Sequence, residues 1–265
     1  FSRMIRHPQQ RLQPGSLVEV LSREGSFIGR GIYNYKSNIG IRLLTENTSE
    51  MLGSEFFFKK LEQAKILREE ILGIHRTSNC YRLVHGEADG LSGLIIDKFA
   101  DVFVVEPYSA GYIGIMEWIA SSLQSLYPGS RIVVRPDERI AVKEGADFSK
   151  VAKAYPSPDF IEISENLLRM KVNLKTGHKT GFFLDQRENR LTLSQYCHGK
   201  EVLDCFCYTG GFAISAMLAG AKSASAIDLD EKALETAREN ARLNSANVTF
   251  QHVNAFDHLR MMIRK

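Results

Sequence analysis

The sequence predicts an α/β protein whose C-terminal part opens a doubly wound parallel sheet. Three observations carry that prediction. Val202 and Leu203 begin an apolar run that ends near Asp204, Thr209-Gly210-Gly211 makes a tight turn, and Phe212 to Ala219 has the composition of a helix. A strand feeding a glycine turn and then a helix is the opening of a doubly wound unit. Second, Ala224 to Ile227 is a short strand ending at Asp228. Asp230 stands where it can cap a helix over Glu231 to Asn244, in which Ala233, Leu234, Ala237 and Ala241 recur at helical spacing. Third, Val248-Thr249-Phe250 begins another strand, expected to end near Asn254.

This order puts Asp204, Asp228 and Asn254 at strand tips, side by side on the carboxyl edge where open α/β sheets bind ligands. Glycine in the turn lets a ligand approach the backbone, because it lacks a Cβ and tolerates positive φ. An acid at the tip of the second strand is placed to accept hydrogen bonds from ribose hydroxyls. A dinucleotide site needs G-x-G-x-x-G and a helix N-terminus facing a pyrophosphate. Here the turn holds only Gly210-Gly211, preceded by an acid and bulky residues. An acid repels phosphate and suits an α-ammonium group. S-adenosylmethionine (SAM) combines an amine, a carboxylate, a ribose and an adenine without phosphate, and is the expected cofactor. The residues alone leave two alternatives: an NAD(P)-dependent oxidoreductase on the same fold, and a strand-turn-helix unit with no ligand.

Composition sets the bounds. The 265 residues suffice for more than one domain, and 44% hydrophobic with 25% charged residues is ordinary for a globular protein. The formal charge of +3 permits nucleic-acid binding without demonstrating it. No apolar run is long enough to span a bilayer and no secretory signal is read, so a cytoplasmic location without membrane contact is expected. Cys80, Cys197, Cys205 and Cys207 form no C-x-x-C pair, so no metal site is expected. Cys205 and Cys207 read as alternate residues of the first strand, packed as small hydrophobes in a reducing compartment. The chain stops at Lys265 soon after the third strand and is read as lacking the C-terminal part of the sheet.

Ahead of that sheet, residues 1–54 read as a small β domain. Strands are expected at 17–21, 26–33 and 39–44, punctuated by Gly25, Gly29, Gly31, Asn38 and Gly40. Arg3, Arg6, Arg11, Arg23, Arg30, Lys36 and Arg42 give it a basic lean that suits either an RNA-binding barrel or a solvated surface. Residues 55–72 read as a connecting helix. Phe57, Phe58, Leu61, Ala64, Ile66, Leu67 and Ile71 make its apolar face, with Lys59, Lys60, Lys65 and Arg68 mostly off it. Residues 73–159 form a central α+β region. Its strands are expected at 81–84, 94–97, 102–105 and 131–135, with a helix over 113–126, and His85, Glu87 and Asp89 read as loop capping. Residues 160–265 begin with a hairpin, 160–163 and 168–174, turning at Glu165-Asn166. In TGHKTGFFLDQRENR, residues 176–190, Asp185 and Glu188 have capping-box spacing, so a helix is expected to start at Gln186. Its free N–H groups, close to the glycine turn in sequence, suit a carboxylate.

GHKTGFFLDQR followed by VLDCFCYTGGFA resembles the large-subunit rRNA cytosine-C5 methyltransferases that join an N-terminal PUA domain to a methyltransferase domain. YRLVHGEADGLSGLIIDKF is similar to that family's second domain, and the resemblance covers most of residues 15 to 257. It implies a Rossmann-like methyltransferase domain preceded by a small β-barrel (PUA-like) domain and a small α+β domain. It implies methyl transfer from SAM to carbon 5 of a cytosine in large-subunit rRNA. Gln186 matches the family's cofactor-binding glutamine. Phe206, Gly210 and Gly211 match its first cofactor motif, Asp228 the ribose acid, and Asn254 the adenine-side residue, which would accept from the adenine amino group. Asp204, Thr209, Leu229 and Ala255 complete the expected cofactor set. Arg6-His7-Pro8 is followed by Gln9-Gln10 where the family has an aromatic residue, and the chain stops before the family's Asp-Pro-Pro motif and nucleophilic cysteine. Methylation at carbon 5 needs a thiolate adding to carbon 6, and none of the four cysteines matches that nucleophile, so no catalytic residue is assigned. The expected partner is rRNA, with a homodimer admitted as an assembly. A non-catalytic RNA-binding module on this fold stays open as a further alternative.

Overall fold

A computed structural model describes residues 2–6, 8–9, 12–175, 177 and 179–263. His7, Gln10, Arg11, Thr176, His178 and Lys265, singled out above, lie outside the described residues. The chain forms two compact units, one of residues 1–74 and 82–157, the other of 75–81 and 158–265. No helix among the described residues is long and apolar enough to cross a membrane.

In the first unit β1 (Ser16–Leu21), β2 (Phe27–Tyr33) and β3 (Ile41–Thr45) form an antiparallel meander. Register shifts at Arg30/Gly31, and a Cβ on Gly31 would lie 2.1 Å from the Arg42 carbonyl oxygen, so only glycine lets the two backbones close there. α1 (Ser54–Lys65) buries Phe56, Phe57, Leu61 and Ala64. It runs on as a π-helical turn over Ile66–Ile71. That turn corrects the expected face. A wider turn rotates the side chains, so Ile66, Leu67 and Ile71 point to solvent at 37%, 37% and 70% exposure. Arg68, expected mostly off the face, is buried and pairs with Asp89 through both terminal guanidinium nitrogens.

β4 (Cys80–His85), whose last four residues belong to this unit, heads a sheet of order β4-β5-β6-β7 with β5 (Leu94–Phe99), β6 (Val102–Pro107) and β7 (Arg131–Val134). β6 and β7 are parallel, joined by α2 (Gly111–Leu126) as the crossover. Leu94, Ile96, Phe103 and Val105 are fully buried, and Trp118 of α2 lies 6.0 Å from Phe57. α3 (Glu138–Glu144) and α4 (Ser149–Ala154) follow, two short helices the sequence reading did not separate. Glu87 accepts from Ser92 Oγ at 2.8 Å and Asp89 from the His85 N–H at 2.6 Å, which ties the loop they share.

The second unit carries the predicted doubly wound element. β8 (Phe160–Glu165) and β9 (Leu168–Asn173) pair as a hairpin, and the Asn79 N–H donates to the Ser164 carbonyl, so residues 75–81 pack with this unit. Then come α5 (Arg187–Ser194), β10 (Glu201–Cys205), α6 (Gly211–Leu218), β11 (Ser223–Asp228), α7 (Glu231–Leu243), β12 (Val248–His252) and α8 (Ala255–Ile263). The strands run parallel in the order β10-β11-β12. Asp230 caps α7 as expected, accepting from the Ala233 N–H at 3.1 Å, and Ala233, Leu234, Ala237 and Ala241 are buried.

Three details differ from expectation. The capping box does not form. Leu184–Gln186 is a 3-10 turn, so Asp185 is not in the extended conformation a cap requires. α5 therefore starts at Arg187, with no side-chain cap from Gln186, and Glu188 pairs with Arg187 instead. Cys207 is not on the strand with Cys205. β10 ends at Cys205, and Phe206 and Tyr208 take positive φ of 66° and 49°, which turns the chain before the glycines. Cys205 is half-buried on a strand that is an outer one among the described strands, whereas Cys207 is buried with Ala213, Ala224, Ala226 and Leu234. Finally, the tips are staggered. Asp204 is level with Ala226, Asp228 with His252, and Asn254 lies beyond the end of β12.

Candidate cofactor site

The glycine turn between β10 and α6 is held from four sides. Gly210 adopts φ +86°, and a Cβ there would meet Ala237, Ile214 and Phe250 at 3.3 Å each. Buried Thr209 offers its carbonyl to Nδ2 of Asn240, which is fully buried on α7 and also accepts from the Lys171 N–H of β9. Asp228, the last residue of β11, accepts from the Tyr208 N–H through Oδ2 at 2.8 Å and from the Asp230 N–H through Oδ1 at 2.9 Å. Gly211 lies against Arg190 of α5, where an added methyl would stand 3.3 Å from the arginine Cδ.

Asp204 accepts from the Ala213 N–H through Oδ2 at 3.1 Å. The electropositive start of α6, where a phosphate would sit in a dinucleotide site, is thus already met by a carboxylate of the chain itself. Burial pushes the Asp204 carboxyl up to about 6. The bond from Ala213 pulls it down, and the nearby charge of Asp228 pushes it further up. Burial, with the charges of Asp204 and Asp228, also pushes the Cys207 thiol far above its ordinary range. That thiol is inert packing.

Phe206, Leu229, Asn254 and Ala255 follow the carboxyl ends of β10, β11 and β12, and Gln186 immediately precedes α5. Phe206 is 62% exposed and meets Phe256 edge-on at 5.8 Å; Leu229 is 60% exposed, and its carbonyl bonds to His252 Nε2. Ala255 is buried at the start of α8. Asn254 uses its amide oxygen to cap α8, accepting from the Phe256 and Asp257 N–H groups at 2.9 and 3.3 Å, which leaves its amide nitrogen outside the cap. Gln186 accepts from Asn189 Nδ2 at 2.9 Å and donates to Asp185 at 3.4 Å.

Sequence reasoning passed over Tyr208, Arg190, Asn240 and Phe256. Tyr208 gives no signal in sequence, because a left-handed tyrosine is created by the carboxylate that holds its N–H. Phe256 follows Asn254-Ala255 directly, and its proximity to the edge could have drawn attention.

The chain matches two families. Residues 152–261 match the S-adenosylmethionine-dependent methyltransferases, and residues 1–46 match a PUA-like domain. Among curated relatives, ribosomal RNA large subunit methyltransferase I of Pseudoalteromonas atlantica is 38% identical over 98% of this chain and 66% of its own length. The protein of that name from Erwinia tasmaniensis is 33% identical over 100% of this chain and 67% of its own. The chain thus spans about two thirds of the length of these relatives. A candidate SAM-dependent methyltransferase of Streptococcus mutans aligns over 96% of this chain and 66% of its own, with a TM-score of 0.74 at 22% identity. A candidate methyltransferase solved in complex with SAH aligns over 97% of this chain and 66% of its own, with a TM-score of 0.76 at 23% identity. These two likenesses concern the fold. With a PUA-like N-terminus, a Rossmann-like sheet and relatives above 30% identity along the whole chain, this protein belongs to the SAM-dependent methyltransferase family that includes the ribosomal RNA large subunit methyltransferases I.

Proposed function

We propose that the chain is the RNA-recognising and cofactor-binding part of an enzyme that transfers a methyl group from SAM to carbon 5 of a cytosine in large-subunit rRNA. The observation that carries the cofactor reading is the Asp204 carboxylate on the α6 N-terminus. It disfavours a pyrophosphate there and argues against the nicotinamide alternative. The donor set fits SAM. Asp204 keeps its second oxygen for an ammonium group. The Asp228 oxygens each keep a lone pair beyond their backbone bonds, which suits two ribose hydroxyls. Gly210 leaves the turn open to close approach, Thr209 and Gly211 complete it, and Gln186 offers an amide to a carboxylate. Phe206, Leu229 and Ala255 supply apolar surface for an adenine. Asn254, its oxygen committed to α8, would donate its N–H to an adenine ring nitrogen rather than accept from the amino group.

When bound, SAM supplies an electrophilic methyl on a sulfonium. The residues described here bind and orient; none is assigned as the nucleophile. Cys207 is structural in this reading, since it is buried and its thiol is held neutral, and Cys205 is read as a packed residue of β10. The names of the relatives support large-subunit rRNA as the substrate, and the PUA-like match supports RNA contact by the N-terminal residues.

Calorimetry tests the site. Asp228→Ala should weaken SAM binding by about 1.5–3 kcal/mol, the range for a hydrogen bond to a charged acceptor. NADH or NADPH should not compete. Unchanged SAM affinity in that variant would remove Asp228 from the site. Mass spectrometry of large-subunit rRNA incubated with the enzyme and SAM should find 5-methylcytidine; methyl on another atom would refute the position.

A further inference from the structure

We propose that Arg190 is a positioning residue that holds the Lys179–Gln186 loop against the Gly210-Gly211 turn, keeping the two halves of the cofactor site at one spacing. The inference rests on the cofactor reading above. Neither Arg190 nor its partner Glu165 belongs to the set expected to touch the cofactor. Both are buried, at 3% and 2% exposure.

The Arg190 guanidinium meets Glu165 as a fork, Nε to Oε1 at 2.6 Å and Nη2 to Oε2 at 2.7 Å. Nη2 also donates to the Phe183 carbonyl at 3.2 Å, and the guanidinium lies 4.5 Å over the ring of Phe182. Its Cδ abuts Gly211 on the other side. One side chain therefore touches the loop, the turn and the β8–β9 hairpin together. A second contact closes the arrangement. The Phe183 ring stands edge-on to Tyr208 at 5.4 Å, and the Tyr208 hydroxyl donates to the Gly181 carbonyl at 3.3 Å. The Tyr208 N–H donates to Asp228. Contacts thus run unbroken from Glu165 through Arg190, Phe182-Phe183 and Tyr208 to the acid proposed for the ribose. Gln186 stands four residues before Arg190, one turn earlier at the start of α5, so fixing the arginine fixes the frame of the glutamine as well.

Only an arginine fills this role. Its planar fork serves a carboxylate, a carbonyl and a ring face at once, whereas a lysine ammonium is a single point of charge. A purely stabilising role predicts a different outcome on mutation. Replacing a whole buried ion pair with apolar side chains is often neutral or stabilising, because the desolvation of both charges is relieved, while removing one partner strands the other. The double variant Glu165→Leu/Arg190→Met therefore separates folding from positioning.

SAM is titrated calorimetrically into the wild-type chain, the double variant, Arg190→Lys and Asp228→Ala, with unfolding midpoints measured without cofactor. The expected result is a Kd raised on the order of tenfold or more in the double variant, with its midpoint unchanged or higher, because misplacing binding groups by fractions of an ångström is enough to do so. A wild-type Kd in the double variant overturns the proposal. Should the double variant not fold, Arg190→Lys decides by the same titration: a weakened Kd with the midpoint preserved supports the role, and a wild-type Kd overturns it. Asp228→Ala distinguishes the two levels. If it binds SAM like wild type, Asp228 is outside the site and the site geometry on which this inference rests fails; if the wild-type chain itself binds no SAM, the cofactor reading fails. If it weakens binding and the arginine variants do not, only the role of Arg190 falls.

Discussion

At the scale of the residue, Asp204 shows how a site is set by competing demands. Its carboxylate caps α6 and is half-buried, and its pKa is raised to about 6 chiefly by burial. The sign follows from linkage. An acid that holds its proton more tightly when folded than unfolded contributes most at low pH, and that contribution is lost as pH rises from its unfolded value of 3.8 through about 6. Above pH 6 the ionised group is a liability for the free protein and an asset for a cationic ligand. Asp204→Asn keeps an oxygen for the Ala213 N–H and removes the charge. The variant should unfold about 2–4 °C higher at pH 7.5, show a flatter stability profile between pH 4 and 6, and bind SAM more weakly. Wild-type affinity for SAM should itself rise as pH increases through about 6. A pH-independent Kd between 5 and 7 would show that this carboxylate does not face the ammonium group.

At the scale of the element, the β10–α6 turn concentrates backbone strain in the second unit. Three demands meet there: positive φ at Phe206, Tyr208 and Gly210. The first two are imposed on side chains that disfavour that conformation by roughly 1–2 kcal/mol each, and they persist because Asp228, Asn240 and Asp204 hold the backbone around them. Gly210 relieves the third. Gly210→Ala brings a methyl to 3.3 Å from Ala237, Ile214 and Phe250 and forces alanine into the left-handed region. It should destabilise the protein by about 1–2 kcal/mol in thermal melts, from the conformational term alone. An unchanged melting temperature would mean that the turn relaxes. At α7 the expected cap behaves simply: Asp230→Ala should remove about 1 kcal/mol.

At the scale of the molecule, the basic lean of residues 1–54 separates into two groups. Arg30 is committed to Glu19 and to the carbonyls of Thr48 and Glu50, and Arg42 to the Tyr108 carbonyl and Glu87. Arg3, Arg6, Arg23 and Lys36 are exposed. If this region touches rRNA, the exposed group does so. Replacing all four with alanine should lower the steepness of log K against log salt by about 0.7–0.9 for each phosphate no longer neutralised, while leaving the fold intact. An unchanged salt slope, measured by filter binding or anisotropy, would place RNA binding elsewhere. Excising residues 1–54 is a poorer test. Glu144 accepts from Asn34, Ser37 and the Ala110 N–H, so the β2–β3 turn is part of the packing of the first unit.

Local sequence rules were enough for the second unit up to β12: its elements, their order and the strand edge expected to bind a ligand; α8 (Ala255–Ile263) lay beyond that reading. β10 and β11 are short runs of small and apolar residues that end at or beside an acid, α7 has its cap and a helical apolar face, and the Gly210-Gly211 pair marks a turn. The family resemblance was legible too, since GHKTGFFLDQR and VLDCFCYTGGFA are each an unbroken run of neighbouring residues. The remainder depended on groups that folding brings together from distant positions. Arg68 turned inward because Asp89, 21 residues away, was there to receive it, and the helix widened to allow it. Cys207 left the strand because Asp228 holds the next N–H, 20 residues further along. The amide of Asn254 faces its own helix because a free N-terminus competes for its oxygen. Arg190 joins a hairpin, a loop and a turn that no spacing in the chain connects. Periodicity and capping rules see neighbours within one or two turns, whereas a buried polar group is satisfied by whichever partner the fold delivers, so the polar skeleton of the site is written in three dimensions.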